Sequence, residues 1–378
     1  MARVLIAVDK FKGSLTAAQV GAAVAEGIRQ ARPRTSVSVV PIADGGDGTV
    51  AAALAAGFAA MLVIATGPTG ERVATRYARR GDTAVVELAD VCGLARLPGG
   101  QLAPMTATSR GVGEVITAAI GAGCTRVVLG LGGSASTDGG AGLLQALGAR
   151  LRDADGVEIG HGGAGVAAVA TVDLTLLRER MAGIHVTVAA DVDNPLTGTR
   201  GAATVYGPQK GADDTQVATL DAALTRWADL VATTVGADCR DVPGAGAAGG
   251  VGFAAVAVLN AVTAPGIDLV LDLADFGAHL ADTDLIVTGE GTLDEQTLHG
   301  KAPAGVAAAA SGIPVVAVCG RNTLPAHRLR SAGIEAAYAL LSIEPDVQRC
   351  FTDAEALLTR LGAHIAEQHL PAEAGVIG

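Results

Sequence analysis

The chain has 378 residues, half of them apolar but only 2% aromatic, with a formal net charge of −11 at pH 7. That length suits two domains with cores of Ala, Val, Leu and Ile, and the acidic balance argues against a nucleic-acid or anionic-membrane partner while still allowing a local basic pocket. Five scattered cysteines with no CxxC pair read as reduced thiols of a cytoplasmic protein, no Cys/His cluster suggests zinc, and neither a secretory signal nor a membrane span is expected.

The chain opens with a strand over 4–8, a loop Asp9-Lys10-Phe11-Lys12-Gly13-Ser14 and a helix over about 15–31. Ser14 is the expected N-cap, and Val20, Val24 and Ile28 form a one-sided stripe. A strand over 36–42 follows, then Asp44-Gly45-Gly46-Asp47-Gly48-Thr49 and a helix over 50–56. Two successive strand–loop–helix units predict a parallel sheet with ligands at the carboxyl ends of its strands. From 61 the texture changes to short β-runs (61–65, 72–78, 83–88) between glycine turns, which predict a meander packed elsewhere. A helix from 108–110 to about 121 and a strand over 126–129 lead into a loop from Gly130 to Gly140 and a helix over 141–148.

Between 151 and about 268 the pattern is less regular. It predicts a hairpin turn at 153–156, a helix over 173–182, a strand over 185–190 ending in Asp191-Val192-Asp193-Asn194-Pro195, a long helix over about 213–235, and a buried helix over 253–263. Alternation returns with a strand over 284–288, the loop Gly289-Glu290-Gly291-Thr292-Leu293-Asp294, helix 302–310, strand 314–318, helix 326–332, strand 337–341 and helix 353–369. The expectation is an α/β domain built from both chain ends (1–60, 105–150 and 270–378) and a second mixed α/β domain from 61–104 and 151–269.

Of the 27 basic residues only four are lysine: Lys10, Lys12, Lys210 and Lys301. Three of them adjoin glycine, and none lies on an ordinary amphipathic helix face. Lysine is a compact point charge suited to phosphate oxygens. Five loops after predicted strands (9–14, 44–49, 130–140, 191–198, 289–295) are rich in Gly, Asp, Ser and Lys. Glycine lets backbone N–H groups approach an anion, and paired carboxylates hold Mg²⁺ or take a proton, so the set points to a phosphate-handling cleft. No Walker A, protein-kinase or Gly-x-Ser-x-Gly motif is present. Gly130-x-Gly132-x-x-Ala135 is a weak dinucleotide match, because Asp153 and Asp155 look like turn residues. Asp191 and Asp193 serve either as turn formers before Pro195 or as a base and a metal ligand. Asp44 and Asp47 carry the same two readings, and the placement of Glu290 between two glycines after a strand favours a ligand contact.

Taken together, 9–15, 43–49, 130–140, 191–196, 206–211, 243–250 and 288–301 resemble the bacterial glycerate kinase type I family, in order and over nearly the whole chain. Asp47 stands where that family often has Glu, and Lys10 where Ser is frequent. The resemblance implies a flavodoxin-like α/β domain and a second mixed domain around a shared cleft. It also implies a phosphotransferase using ATP and Mg²⁺ to phosphorylate D-glycerate, most often at the 2-hydroxyl.

On that reading Asp191, then Asp193, is the base, and Lys12 with Gly13 and Ser14 binds phosphate or carboxylate. Asp9, Lys10, Asp44, Gly45, Gly46, Asp47, Asn194, Lys210, Glu290, Asp294 and Lys301 contact substrate or phosphate. Gly132, Gly133, Ser134, Ser136, Thr137 and Asp138 hold the nucleotide, and Asp44, Asp47, Asp191 and Glu290 are the Mg²⁺ candidates. The partners are small molecules, with a homodimer as the candidate assembly. The alternatives are a glycerate 3-kinase, an NAD-dependent hydroxy-acid dehydrogenase and a nucleotide-binding regulator without catalysis.

Overall fold

The computed structural model describes residues 1–189 and 191–372, and no helix among them is long and apolar enough to cross a membrane. The strands in chain order are β1 (Arg3–Val8), β2 (Ser36–Val39), β3 (Ala59–Thr66), β4 (Arg72–Arg80), β5 (Thr83–Glu87), β6 (Arg126–Gly130) and β7 (Arg150–Arg152). They continue as β8 (Thr171–Asp173), β9 (His185–Ala189), β10 (Val262–Ala264), β11 (Leu285–Leu293), β12 (Val315–Asn322) and β13 (Ala336–Ala339). Ala190, the expected end of β9, lies outside the described residues. The chain divides into two compact units, Met1–Asp44 with Ala51–Ala56 and Ile267–Gly378, and Gly45–Val50 with Gly57–Gly266.

The first unit is a five-stranded parallel sheet in the order β13-β12-β11-β1-β2. Counted within the unit this is 2-1-3-4-5, the doubly wound order of flavodoxin-like sheets, with its switch point between β1 and β11. Both faces are covered, which suits strands that read as unbroken apolar runs. Leu5, Ala7, Ile286 and Ala317 enter one core, and Val4, Ile6, Val287 and Val318 the other.

On the second face the helices Ala17–Ala31 and Ala354–His369 cross closely. A Cβ at Gly27 would sit 1.9 Å from the Thr359 carbonyl oxygen, so this crossing requires glycine. The first helix starts later than expected. Loop 9–14 closes on itself through Ser14 N–H to Phe11 O and Phe11 N–H to Leu15 O. Thr16, not Ser14, is therefore the N-cap, in a capping box with Gln19.

The second unit holds a six-stranded sheet in the order β10-β9-β6-β5-β4-β3, parallel except for β4 and β3. The expected meander is its antiparallel edge. β6 pairs with β5 on one side and β9 on the other. Residues 105–150 therefore lie in this unit and not with the chain ends. An apolar strand followed by a glycine loop fits either sheet, so pattern alone misassigned it. Trp227 is fully buried and donates from Nε1 to Gly139 O at 3.0 Å. The buried helix begins at Ala247 and runs to Leu259, six residues earlier than expected, through the kink at Ala248–Gly250, whose φ values are all positive.

Candidate functional site

In the first unit the switch point brings together residues from three of the predicted loops. Asp9 follows β1 directly, its N–H donating to Gly289 O at 2.8 Å, while Glu290 lies one residue beyond Gly289 on β11. Both carboxylates are buried. Burial raises Asp9 to about 6, and the Asp44 charge adds to it against the opposing pull of Lys10. Burial likewise raises Glu290 to about 7, opposed by the Thr297 hydroxyl and Lys301 and reinforced by Asp9 and Asp294. Thr297 donates to Glu290 Oε1 at 2.5 Å. Lys10 Nζ is 3.4 Å from Asp9 Oδ1, Lys12 is exposed, and Lys301 opens the helix Ala302–Ala309. Asp294 caps the turn Glu295–His299, accepting from Gln296 N–H at 2.9 Å. Gly13 takes φ 81°, the turn residue that lets Ser14 donate to Phe351 O at 2.9 Å.

In this setting Glu290 gives a pH signature. Its folded pKa lies above the ordinary 4.5. Its contribution to stability is therefore fully present below pH 4.5 and is lost as pH rises through about 7. Without added cation, Glu290→Gln is expected to lose about 2 kcal/mol less stability than wild type between pH 5 and 8. Denaturant melts at the two pH values check it, and parallel pH profiles for the two proteins would remove Glu290 from this role.

In the second unit the 45–50 loop, at the carboxyl end of β5, packs against the loop after β6 and against Gly266 after β10. A Cβ at Gly132 would meet Gly46 Cα at 2.8 Å and Asp47 N at 2.9 Å, and one at Gly45 would meet Gly266 Cα at 2.3 Å. The glycines of the weak dinucleotide match are thus accounted for by loop-on-loop contact. Asp191 accepts from Gly266 N–H at 2.9 Å and is itself exposed. Asp193 sits at the surface, its side chain 76% exposed and paired with Arg200 at 3.0 Å. Asn194 is used internally, accepting from Tyr206 Oη at 2.6 Å and donating to Arg200 O at 2.8 Å.

Two of the expected ligand contacts are engaged inside the protein. Asp138 is buried and accepts from Ser109 N–H at 2.8 Å, Ser109 Oγ at 2.9 Å and Gly140 N–H at 3.1 Å, so it joins two helix starts. Lys210 is 1% exposed, its ammonium donating to Ser134 Oγ at 2.8 Å and Ser136 O at 2.5 Å. Burial lowers Lys210 to about 7, against the pull of Asp138. Lys210 is therefore an internal post under the 134–136 loop. Lys210→Ala leaves a cavity and an unpaired Ser136 carbonyl. It is expected to cost about 2–4 kcal/mol and to lower Tm by several degrees. A thermal melt within about 1 °C of wild type would contradict that role.

Sequence reading missed Glu87. It ends β5 as Glu290 follows the core of β11, and both carboxylate oxygens accept backbone N–H groups at 3.0 Å, from Gly48 and Val50. Burial and the charges of Asp90 and Asp47 raise it to about 7. The signal was available in Thr83-Ala-Val-Val-Glu87, an apolar run ending in an acid. Of the four Mg²⁺ candidates, Asp44 and Glu290 belong to the first unit and Asp47 and Asp191 to the second. Among the described residues no three His, Cys, Asp or Glu side chains lie together as a ready-made metal set.

A family model described as the glycerate kinase family matches residues 4–370. The chain belongs to the glycerate kinase family. Within that family it is 40% identical over 369 residues to glycerate kinase of Bacillus subtilis (strain 168), covering 96% of this chain and 97% of the relative. It is also 40% identical, with the same coverage, to glycerate 2-kinase of Escherichia coli (strain K12). A crystal structure of a Salmonella typhimurium LT2 protein assigned as glycerate kinase 2 superposes with a TM-score of 0.83 at 40% identity, over 97% of this chain and 98% of that one. Glycerate kinases are phosphotransferases, so the family settles the enzyme class that the resemblance implied.

Proposed function

We propose that this chain transfers the γ-phosphoryl group of ATP to the 2-hydroxyl of D-glycerate, giving 2-phosphoglycerate and ADP. The observation that carries the reading is the end-to-end similarity to a relative named glycerate 2-kinase. Phosphoryl transfer asks mainly for positioning and charge neutralisation. The lysines of the first unit supply the positive charge, with Lys12 and Lys10 after β1 and Lys301 at a helix start. In the second unit Asp191 accepts the proton of the attacking hydroxyl, oriented by its bond from Gly266 N–H. Asp193, in its exposed ion pair, is the second choice.

The acids of the first unit fit Mg²⁺. Asp9 and Glu290 are buried and repel each other, and Asp44 adds to the load on Asp9. Mg²⁺ commonly takes one or two carboxylates and otherwise relies on substrate phosphates, so a ready-made protein cage is not required. Asp9 and Glu290 would hold it, and bound Mg²⁺ would neutralise phosphate charge. Because Asp9 and Glu290 must lose protons to bind it, Mg²⁺ affinity in the presence of ADP is expected to rise from about pH 6 to pH 8. Calorimetric titration checks this, and an affinity flat across that range would argue against these ligands.

The acceptor position is tested by proton-coupled ³¹P NMR of the product from D-glycerate and Mg-ATP. A phosphate on carbon 2 couples to one proton and gives a doublet. A triplet would mean the 3-hydroxyl, and no product would remove the kinase reading.

A further inference from the structure

The first unit contains a cavity of about 260 Å³ whose walls do not come from the residues assigned above, apart from Lys12 and Ser14. It lies at the carboxyl ends of β1, β11 and β12, beside the switch point, where open α/β sheets bind ligands. Its size lies just below the usual range of about 300–1,000 Å³ for small-molecule pockets.

The lining is unusual for this chain. The sequence has only five phenylalanines, yet Phe11 and Phe351 both line this one cavity. Phe351 is 48% exposed and Val347 58% exposed, on the short helix Val347–Thr352 that forms one wall. An aromatic ring left in solvent in a chain so poor in aromatics calls for a partner. Leu340 and Leu341 extend the apolar wall. The charged side chains lining the cavity are Lys12 and Arg321, both cations, in a protein whose net charge is −11. An apolar cavity lined by cations and no acid matches a ligand with an apolar ring at one end and negative charge at the other. The Ser14 hydroxyl, donating to Phe351 O at 2.9 Å, ties the lysine loop to the apolar wall.

We propose that this cavity takes the adenine and ribose of the nucleotide, with Phe351 against the base and Lys12 toward the phosphates. The nucleotide then belongs to the first unit, and the 132–138 loop of the second, held by Lys210 and Asp138, is freed from that role. The choice of an adenine nucleotide rests on the proposed kinase reading. The amphipathic anion character rests on the lining alone.

The test is calorimetric titration of the full chain with Mg-ADP and, separately, with inorganic tripolyphosphate, which has no base. Two exposed positions are varied, Phe351→Ala and Val347→Trp, the second to fill the slot. Both are expected to weaken ADP by roughly 5- to 100-fold, the range for losing one stacked base. Tripolyphosphate affinity is expected to stay within twofold, as is KM for glycerate, while KM for ATP rises in step with the ADP dissociation constant. Overturning results are unchanged ADP affinity in both variants, a parallel loss of tripolyphosphate binding, or no ADP binding to wild type. If wild type phosphorylates no glycerate but ADP binding still responds to Phe351→Ala, the cavity assignment stands while the kinase reading falls. If the enzyme is an active kinase whose variants lose nothing in ADP affinity, the kinase reading stands and the cavity assignment falls.

Discussion

Asp191→Asn is expected to lower kcat for D-glycerate by roughly 10²–10⁴-fold while changing KM for glycerate by no more than a few fold. That is the range lost with a positioned general base. The substitution is a narrow one. Asparagine keeps an oxygen that accepts from Gly266 N–H, so the loop after β9 stays in place. What disappears is the ability to take a proton. Asp191 is exposed, so the change should leave thermal stability close to wild type. A kcat within threefold of wild type would move the base elsewhere. Asp193 is a weaker replacement, because its carboxylate is engaged with Arg200 at the surface.

Lys12→Ala is expected to lower kcat/KM by on the order of 10²-fold, the cost of removing one preorganised donor to developing charge. Lys12 lies in a loop pinned on both sides, by Phe11 N–H to Leu15 O and by Ser14 Oγ to Phe351 O, so its position does not depend on its own side chain. Fold and loop should therefore survive the change. Lys12→Arg should rescue only in part, because a planar fork does not reproduce a point charge. Near-normal turnover of Lys12→Ala would remove this loop from charge neutralisation.

The parts of the fold legible in the sequence are those set by local rules. β1, the loop 9–14 and the helix behind it follow from an apolar run, a charged glycine turn and a periodic stripe. The antiparallel edge of β3 and β4 follows from short runs between glycine turns. The placement of β6 depends on which strands it pairs with, β5 and β9, and an apolar pentapeptide does not encode that choice locally. The helix start shows the same limit on a smaller scale. Ser14 and Thr16 are both good caps, and the closure of loop 9–14 on Phe11, with the Ser14 hydroxyl taken up by Phe351 O 337 residues away in sequence, leaves the cap to Thr16.

The candidate site divides in a similar way. The positions of Asp9, Glu290, Lys12 and Asp191 at the ends of apolar runs were legible in the sequence. Lys210 and Asp138 lie next to glycine but turn inward, and nothing within a few residues of either indicates the direction. Glu87 was overlooked because no glycine follows it, although its position at a strand end is the same signal. Charge next to glycine thus located the loops, and the long-range packing of Ser134, Ser109 and Gly48 determined which side chains support and which remain exposed.

At the centre stands the proposal that this member of the glycerate kinase family makes 2-phosphoglycerate. The most direct measurement supplies D-glycerate and Mg-ATP and couples the product to enolase in the absence of phosphoglycerate mutase. Enolase accepts the 2-phosphate alone, so phosphoenolpyruvate is expected to form without the mutase, with no gain in yield on adding it. A signal that appears only with the mutase, or ATP consumption that never responds to D-glycerate, would contradict the proposal.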